Sequence, residues 1–242
     1  MPWATQTVQV VIFTPDQPSA YDVLRQAFEC SPTNFQVAPP PAVGGFASAP
    51  ADGRLYTAQI APGRIDLVIG PFVPTDEAPT FAPLPGDRAA HDVVEAALRV
   101  LSSCSAAMRI SLAVRRVYGV SDDDESVSVF ARITGVDPAR LGPRDNVFQT
   151  NHPSQLPDML GVSHNRITQC RTELSQMINI TAGPGVVQQV VTRERRAVTL
   201  THESNVLSTV GPLPRDKLGA LMHLVQHAVE GPPPDDAMDQ SR

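Results

Sequence analysis

Proline is the residue that most restricts what this chain can fold into. It fixes φ and lacks a backbone N–H, so helix interiors and central strands exclude it, and the 24 prolines among 242 residues are unevenly placed. Five of them, Pro71, Pro74, Pro79, Pro83 and Pro85, crowd residues 71–86, and the segment from Ser31 to Pro50 is rich in Pro, Ala and Gly. Both are expected to be surface loops, the Ser31–Pro50 segment anchored to the core by Phe35 and Phe46. A further Pro-rich and acidic stretch, "EGPPPDDAMDQSR", has little apolar surface to bury, and residues 231–242 are expected to form a disordered tail.

Between these breaks the apolar pattern alternates between strand and helix periods. "TVQVVIF" (7–13) is β-branched and apolar on both faces, which suits a central strand. In "PSAYDVLRQAFE", Ser19 and Asp22 form an S-x-x-D capping pair, and Val23, Leu24, Ala27 and Phe28 share one helical face. "RLYTAQI" and "RIDLVIGP" flank Pro62 and Gly63 as a hairpin. Asp87 is placed to cap "RAAHDVVEAALRVLSSC", where Val93, Val94, Ala97, Leu98 and Leu101 recur at helical spacing.

The second half reads in the same order. "RISLAVRRVYGV" is a strand; the carboxylates of "DDDE" (122–125) suit the positive end of a helix carrying Val129, Phe130 and Ile133. "RITQCRTELSQMINI" is a strand, and "VVQQVVTRERRAVTLTHES" is expected to supply two more, broken around Glu194 to Arg196. After Pro214 comes a helix with Leu218, Leu221, Met222, Val225 and Val229 as its buried stripe. Phe35, Gln36 and Pro40 recur 113 positions later as Phe148, Gln149 and Pro153, and "RIDL" (64–67) meets "MINI" (177–180) at the same offset. The prediction is an α+β fold. Two similar strand-helix-hairpin-helix halves, 1–105 and 106–230, form one pseudo-symmetric antiparallel sheet with helices on one face and a broad free surface on the other.

The short N-terminal strand, "GRIDLVIGP", the amphipathic helix after it, "RISLAVRR" and the closing "LGALMHLVQHAVE" together resemble a sporadically distributed, uncharacterised family of bacterial proteins. The resemblance covers most of the chain through loose hydrophobic motifs. It implies a bacterial source and carries no activity to any residue.

Charge narrows the partners. The formal net charge is −6, and residues 1–105 hold 5 Arg against 10 Asp and Glu. Such a chain lacks the cation excess that drives nucleic-acid binding, and aromatics to stack bases are few at 5 %. Cys30, Cys104 and Cys170 are widely spaced and without CxxC pattern, which points to buried free thiols in a reducing compartment. The N-terminus shows no basic leader, and no apolar run reaches the roughly 18 residues of a membrane span, so the expected location is the cytoplasm.

Candidates for chemistry are sparse. His223, His227 and Glu230 stand at i, i+4 and i+7 of the last helix, a spacing at which imidazoles one turn apart can chelate a metal, although a solvated helix face explains them too. Asn151, His152 and His164 fall in a loop expected over 146–164, where binding residues often sit. Arg115 with Arg116, and Arg193, Arg195 and Arg196, form two basic clusters; Arg193 and Arg195 are expected to pair with carboxylates across the sheet. No nucleophile elbow, dinucleotide fingerprint or P-loop occurs. No cofactor and no catalytic residue is assigned. The leading expectation is a non-catalytic interaction protein that presents a sheet face and Pro-rich loops to a protein partner or to itself. The alternatives are an enzyme or small-ligand binder using 146–164, and a nucleic-acid binder that would need the five arginines on one exposed face.

Overall fold

The apolar "TVQVVIF" run needs neighbours on both edges, and it obtains them at the middle of the sheet. The computed structural model describes residues 3–38, 44–73, 81–86, 88–183 and 186–230, with 177–183 and 186–193 described as backbone alone. Its strands are β1 (Ala4–Phe13), β2 (Asn34–Val37), β3 (Gly45–Ala51), β4 (Arg54–Ala61), β5 (Arg64–Pro71), β6 (Arg109–Val120), β7 (Val147–Gln155), β8 (Val162–Gly183) and β9 (Val186–Ser208). They form one nine-stranded antiparallel sheet in the order β2-β3-β4-β5-β1-β6-β9-β8-β7. The helices are α1 (Ala20–Phe28), α2 (Ala89–Ser103), α3 (Asp123–Thr134) and α4 (Leu218–Val229). None of them is long and apolar enough to cross a membrane.

The main core lies where α1, α2 and α4 meet β1, β5 and β6. Val8, Val10 and Ile12 of β1 are fully buried there, with Leu67 of β5, Leu112 of β6 and the apolar stripes of the three helices. A smaller cluster forms where Val129 and Phe130 of α3 cover Cys170 of β8 and Val198 and Leu200 of β9. Because strand side chains alternate, these contacts define the rows. On β1, β6, β8 and β9 the core-facing residues are even-numbered, Gln6 being the extra residue of a bulge in β1. From Thr7 onward in β1, throughout β6, up to Gln176 in β8 and from Glu194 onward in β9, odd-numbered residues point to the sheet's second face, whereas before the β1 bulge the parity inverts and Thr5 stands opposite Arg116.

Helix ends follow local chemistry. At α3 the Asp122 carboxylate accepts from the Glu125 N–H (2.8 Å), and the Glu125 carboxylate accepts in return from the Ser121 N–H (2.7 Å), so one first-turn amide and the amide just before the N-cap are satisfied. Gly135 closes the helix at φ 70°. At α1, by contrast, Ser19 occupies the N-cap but its hydroxyl makes no capping bond, contrary to the S-x-x-D pattern. Asp87, expected to cap α2, lies outside the described residues, as does the tail 231–242.

Three expectations are overturned. The Ser31–Pro50 segment is not a loop throughout: β2 and β3 form a hairpin there, and Ala47, Ala49 and Gly45 are small enough to let α1 lie close, with Ala20 against the backbone of Gly45. The break expected around Glu194 to Arg196 does not exist, because β9 runs on as one strand with Arg196 opposite Leu174 and Glu194 opposite Gln176. The 146–164 segment is likewise mostly strand: Asn151 and His152 lie in β7 and His164 in β8. The two F-Q pairs sit in β2 and β7, the outermost strands, whereas "RIDL" borders β1 and residues 177–180 lie in β8, so the 113-residue offset does not hold for that second pair.

Candidate binding surface

The second face carries a charged ladder assembled by register. In the antiparallel pairing Phe13 of β1 stands opposite Arg64 of β5 on one side and Arg109 of β6 on the other. Both guanidinium carbons lie over its ring, 5.7 Å and 5.2 Å from the centroid, a cation–π arrangement that holds each long side chain flat. Arg64 donates to both oxygens of Asp66, Nε at 2.8 Å and Nη2 at 2.6 Å, and Gln9 Nε2 donates to Asp66 Oδ1 at 2.7 Å. The Asp66 hydrogen bond, ahead of the opposing effect of burial, holds the Arg64 guanidinium above its ordinary range.

On the other flank, Glu203 Oε1 of β9 accepts from Arg109 Nη2 (3.1 Å), Ser111 Oγ (2.9 Å) and Asn205 Nδ2 (3.2 Å). Five side chains thus run Asp66, Arg64, Phe13, Arg109, Glu203 across four strands. Farther along the same face Arg115 pairs with Glu173, whose carboxylate also accepts from Thr199 Oγ1 at 2.8 Å. Asp66, Ser111, Thr199 and Asn205 are buried beneath their longer neighbours. Among the described residues two shielded atoms of this face, Arg109 Nε and Asn165 Oδ1, have no hydrogen-bond partner. The ladder is neutral in sum and rich in oriented donors and acceptors. Such a surface can dock complementary polar groups, and among the described residues it holds no exposed nucleophile beside a base.

The candidates read from sequence are dispersed. Asn151 and His152 are exposed on β7, while His164 is buried with its Nε2 2.7 Å from Ser204 Oγ. A Ser–His contact is the start of a nucleophile pair. Here Ser204 has no exposed surface, and among the described residues no carboxylate bonds the ring, so the pair serves to satisfy buried polar atoms. Burial, with nearby Arg166, holds the His164 imidazole below its ordinary value. Four register positions along the same strand pair, His202 Nδ1 lies 3.3 Å from Thr168 Oγ1, and burial with help from Arg116 pushes that ring down to about 4.

The arginine clusters do not converge. Arg115 and Arg116 point to opposite faces of β6, and Arg195 and Arg196 to opposite faces of β9. The carboxylate expected for Arg195 belongs to its neighbour: Arg196 pairs with Asp123 at 2.7 Å and with Glu194, and Arg195 is exposed. The side chain of Arg193 lies outside the description. His223 and His227 are exposed on α4 and Glu230 at its C-cap, and Gln226 lies between them, bonded to Glu230 Oε1 at 2.7 Å. Among the described residues no three His, Cys, Asp or Glu side chains are grouped to hold a metal ion. Cys30, Cys104 and Cys170 are free thiols.

Sequence reasoning passed over Phe13, Arg64, Asp66, Arg109 and Glu203. A signal was present, since Arg64 with Asp66 and Arg109 with Ser111 are polar residues two apart inside apolar strands and so must share a face. Which strands bring them together is not written locally. The chain matches no protein-family model and no curated protein.

Proposed function

We propose that this chain is a non-catalytic interaction protein that docks a protein partner on the second face of its sheet, with the Pro-rich segment around residues 71–86 as an accessory contact. The observation that carries the reading is the Asp66–Arg64–Phe13–Arg109–Glu203 ladder, a row of preorganised polar groups laid across four central strands rather than gathered into a cavity. Both apolar clusters use the same rows of β6, β8 and β9, which supports a layout with all four helices on one side and the ladder side free. Nine strands of 4 to 23 residues, about 4.8 Å apart with a rise of about 3.3 Å per residue, present more than about 1,000 Å², against the about 800 Å² that one partner contributes to a standard interface.

The same proposal reads the architecture as duplicated, on the order and pairing of its elements. β1 and β6 pair at the centre, each followed by a helix, a meander that returns beside it and a closing helix. Gln9 donates to Asp66 as Ser111 donates to Glu203, each donor two residues before the residue that faces the acid. The two-fold relation would place equivalent acids on either side of the central pair and so present a symmetric surface to the partner.

The test is affinity capture from the native host with the wild-type chain and an Arg64→Glu/Arg109→Glu variant, both verified by circular dichroism. A partner held by the wild type, lost by the double variant and kept by a His223→Ala/His227→Ala control on α4 is the expected result. Equal capture by wild type and double variant would remove the ladder from the interface. A stoichiometric small molecule found by mass spectrometry of the purified chain would favour the ligand-binding alternative instead.

A further inference from the structure

The edge strand β7 carries an inference separate from the sheet face. In an antiparallel pair alternate residues turn both backbone groups toward the partner strand. Thr172 N–H donates to the Asn146 carbonyl and Leu156 N–H to the Val162 carbonyl, both at 3.0 Å, so the even-numbered residues of β7 face β8. The N–H and C=O groups of Val147, Gln149 and Asn151 therefore point away from the sheet, because β7 is its last strand. Natural edges are guarded by charges, bulges or proline. "VFQTNHPSQ" contains no Lys, Arg, Asp or Glu, and its one proline, Pro153, occupies an outward position where the missing N–H stops pairing. Among the described residues nothing pairs with the outer edge of the stretch from Val147 to Asn151, and Val147 is 58 % exposed.

Charge selects the occupant. Arg171 stands opposite Val147 and Arg166 opposite His152, both exposed, and among the described residues neither meets a carboxylate. They lie on opposite faces of β8, so an added strand would answer both with acidic side chains an odd number of residues apart. We propose that β7 accepts an extended acidic peptide as a tenth strand, antiparallel to β7, its main chain bonded to Val147, Gln149 and Asn151 and two carboxylates five residues apart directed at Arg166 and Arg171. Main-chain bonds give such a complex its affinity and the two arginines its preference.

The probe is the peptide acetyl-TEVTVTET-amide, titrated into the isotope-labelled full chain and followed by amide shifts. Shifts are expected at Val147, Gln149 and Asn151. N-methylation of peptide residues 3 and 5, whose amides face β7, should abolish binding, and N-methylation of residues 4 and 6 should leave it. The peptide with Lys for Glu, and an Arg166→Glu/Arg171→Glu protein, should each bind at least tenfold more weakly. Gln149→Pro removes one outward N–H without touching the β8 ladder and should eliminate binding. The proposal is overturned by equal affinity for the Lys peptide, or by shifts that fall elsewhere. Absence of shifts at about 2 mM peptide, where even a millimolar complex would show, also overturns it. So does light scattering that finds a dimer lost in Gln149→Pro, which would assign the edge to a second copy of the chain.

Discussion

Lowering the pH from 7 to 5 should weaken the fold through the His202 imidazole, and the loss can be worked from its surroundings. The ring is largely buried on the core side of β9, Nδ1 against Thr168 Oγ1 at 3.3 Å, with the Arg116 guanidinium nearby. Burial first, and the arginine second, depress its pKa from the ordinary 6.5 to about 4. Between those values the unfolded chain binds a proton that the folded chain refuses. Stability therefore falls as the pH drops below about 6.5 and stops falling from this source below about 4. At pH 5 the linked loss is about 2 kcal/mol, and it approaches about 3 kcal/mol at the acid limit. Urea unfolding of the wild type and of His202→Gln at pH 7 and pH 5 isolates it. With a slope of about 3 kcal/mol/M, the wild-type midpoint should fall by roughly 0.6 M more than that of the variant. His164 shifts in the same direction but is present in both proteins, as are the titrating carboxylates, so their contributions cancel in the difference. Parallel falls in the two proteins would refute the assignment of His202 as a ring kept neutral by burial.

Two other perturbations probe the core and the thiols. Phe130→Ala removes the 1 % exposed side chain at the centre of the α3 cluster and should cost about 3–5 kcal/mol, read as a drop in the urea midpoint at pH 7. With a thiol reagent at pH 8, half-exposed Cys30 should react first, and Cys104 and Cys170 only on unfolding, because burial shields both and pushes the Cys170 thiol up to about 12. Prompt reaction of all three would show that the α3 cluster opens readily.

Much of the fold was legible because its signals are local. Alternating valines and isoleucines mark β1, β5 and β6, and helical spacing marks α2 and α4, whatever lies beside them in space. β2, β3 and β7 lack such a signal: "NFQV" and "VFQTNHPSQ" are polar or exposed, and "GFASAPA" is small and contains Pro50. They are strands because β4 and β8 offer them free backbone groups, and a strand so specified is invisible to residue periodicity. The expected break in β9 failed for a related reason. Glu194, Arg195 and Arg196 look like a turn, yet β8 pairs with them residue for residue.

Composition and periodicity alone determined that this chain builds mixed helices and strands around a Val, Leu, Ile and Ala core, and where most of those elements begin, since burial of an amphipathic face depends on spacing within a few residues. Tertiary structure alone decided that Phe13 lies between Arg64 and Arg109, that Asp123 takes Arg196 while Arg195 stays exposed, and that His164 is sealed against Ser204. Each of those contacts joins residues tens of positions apart through strand register. Register is set by the whole sheet at once, because shifting one strand by a single residue turns every side chain on it to the opposite face.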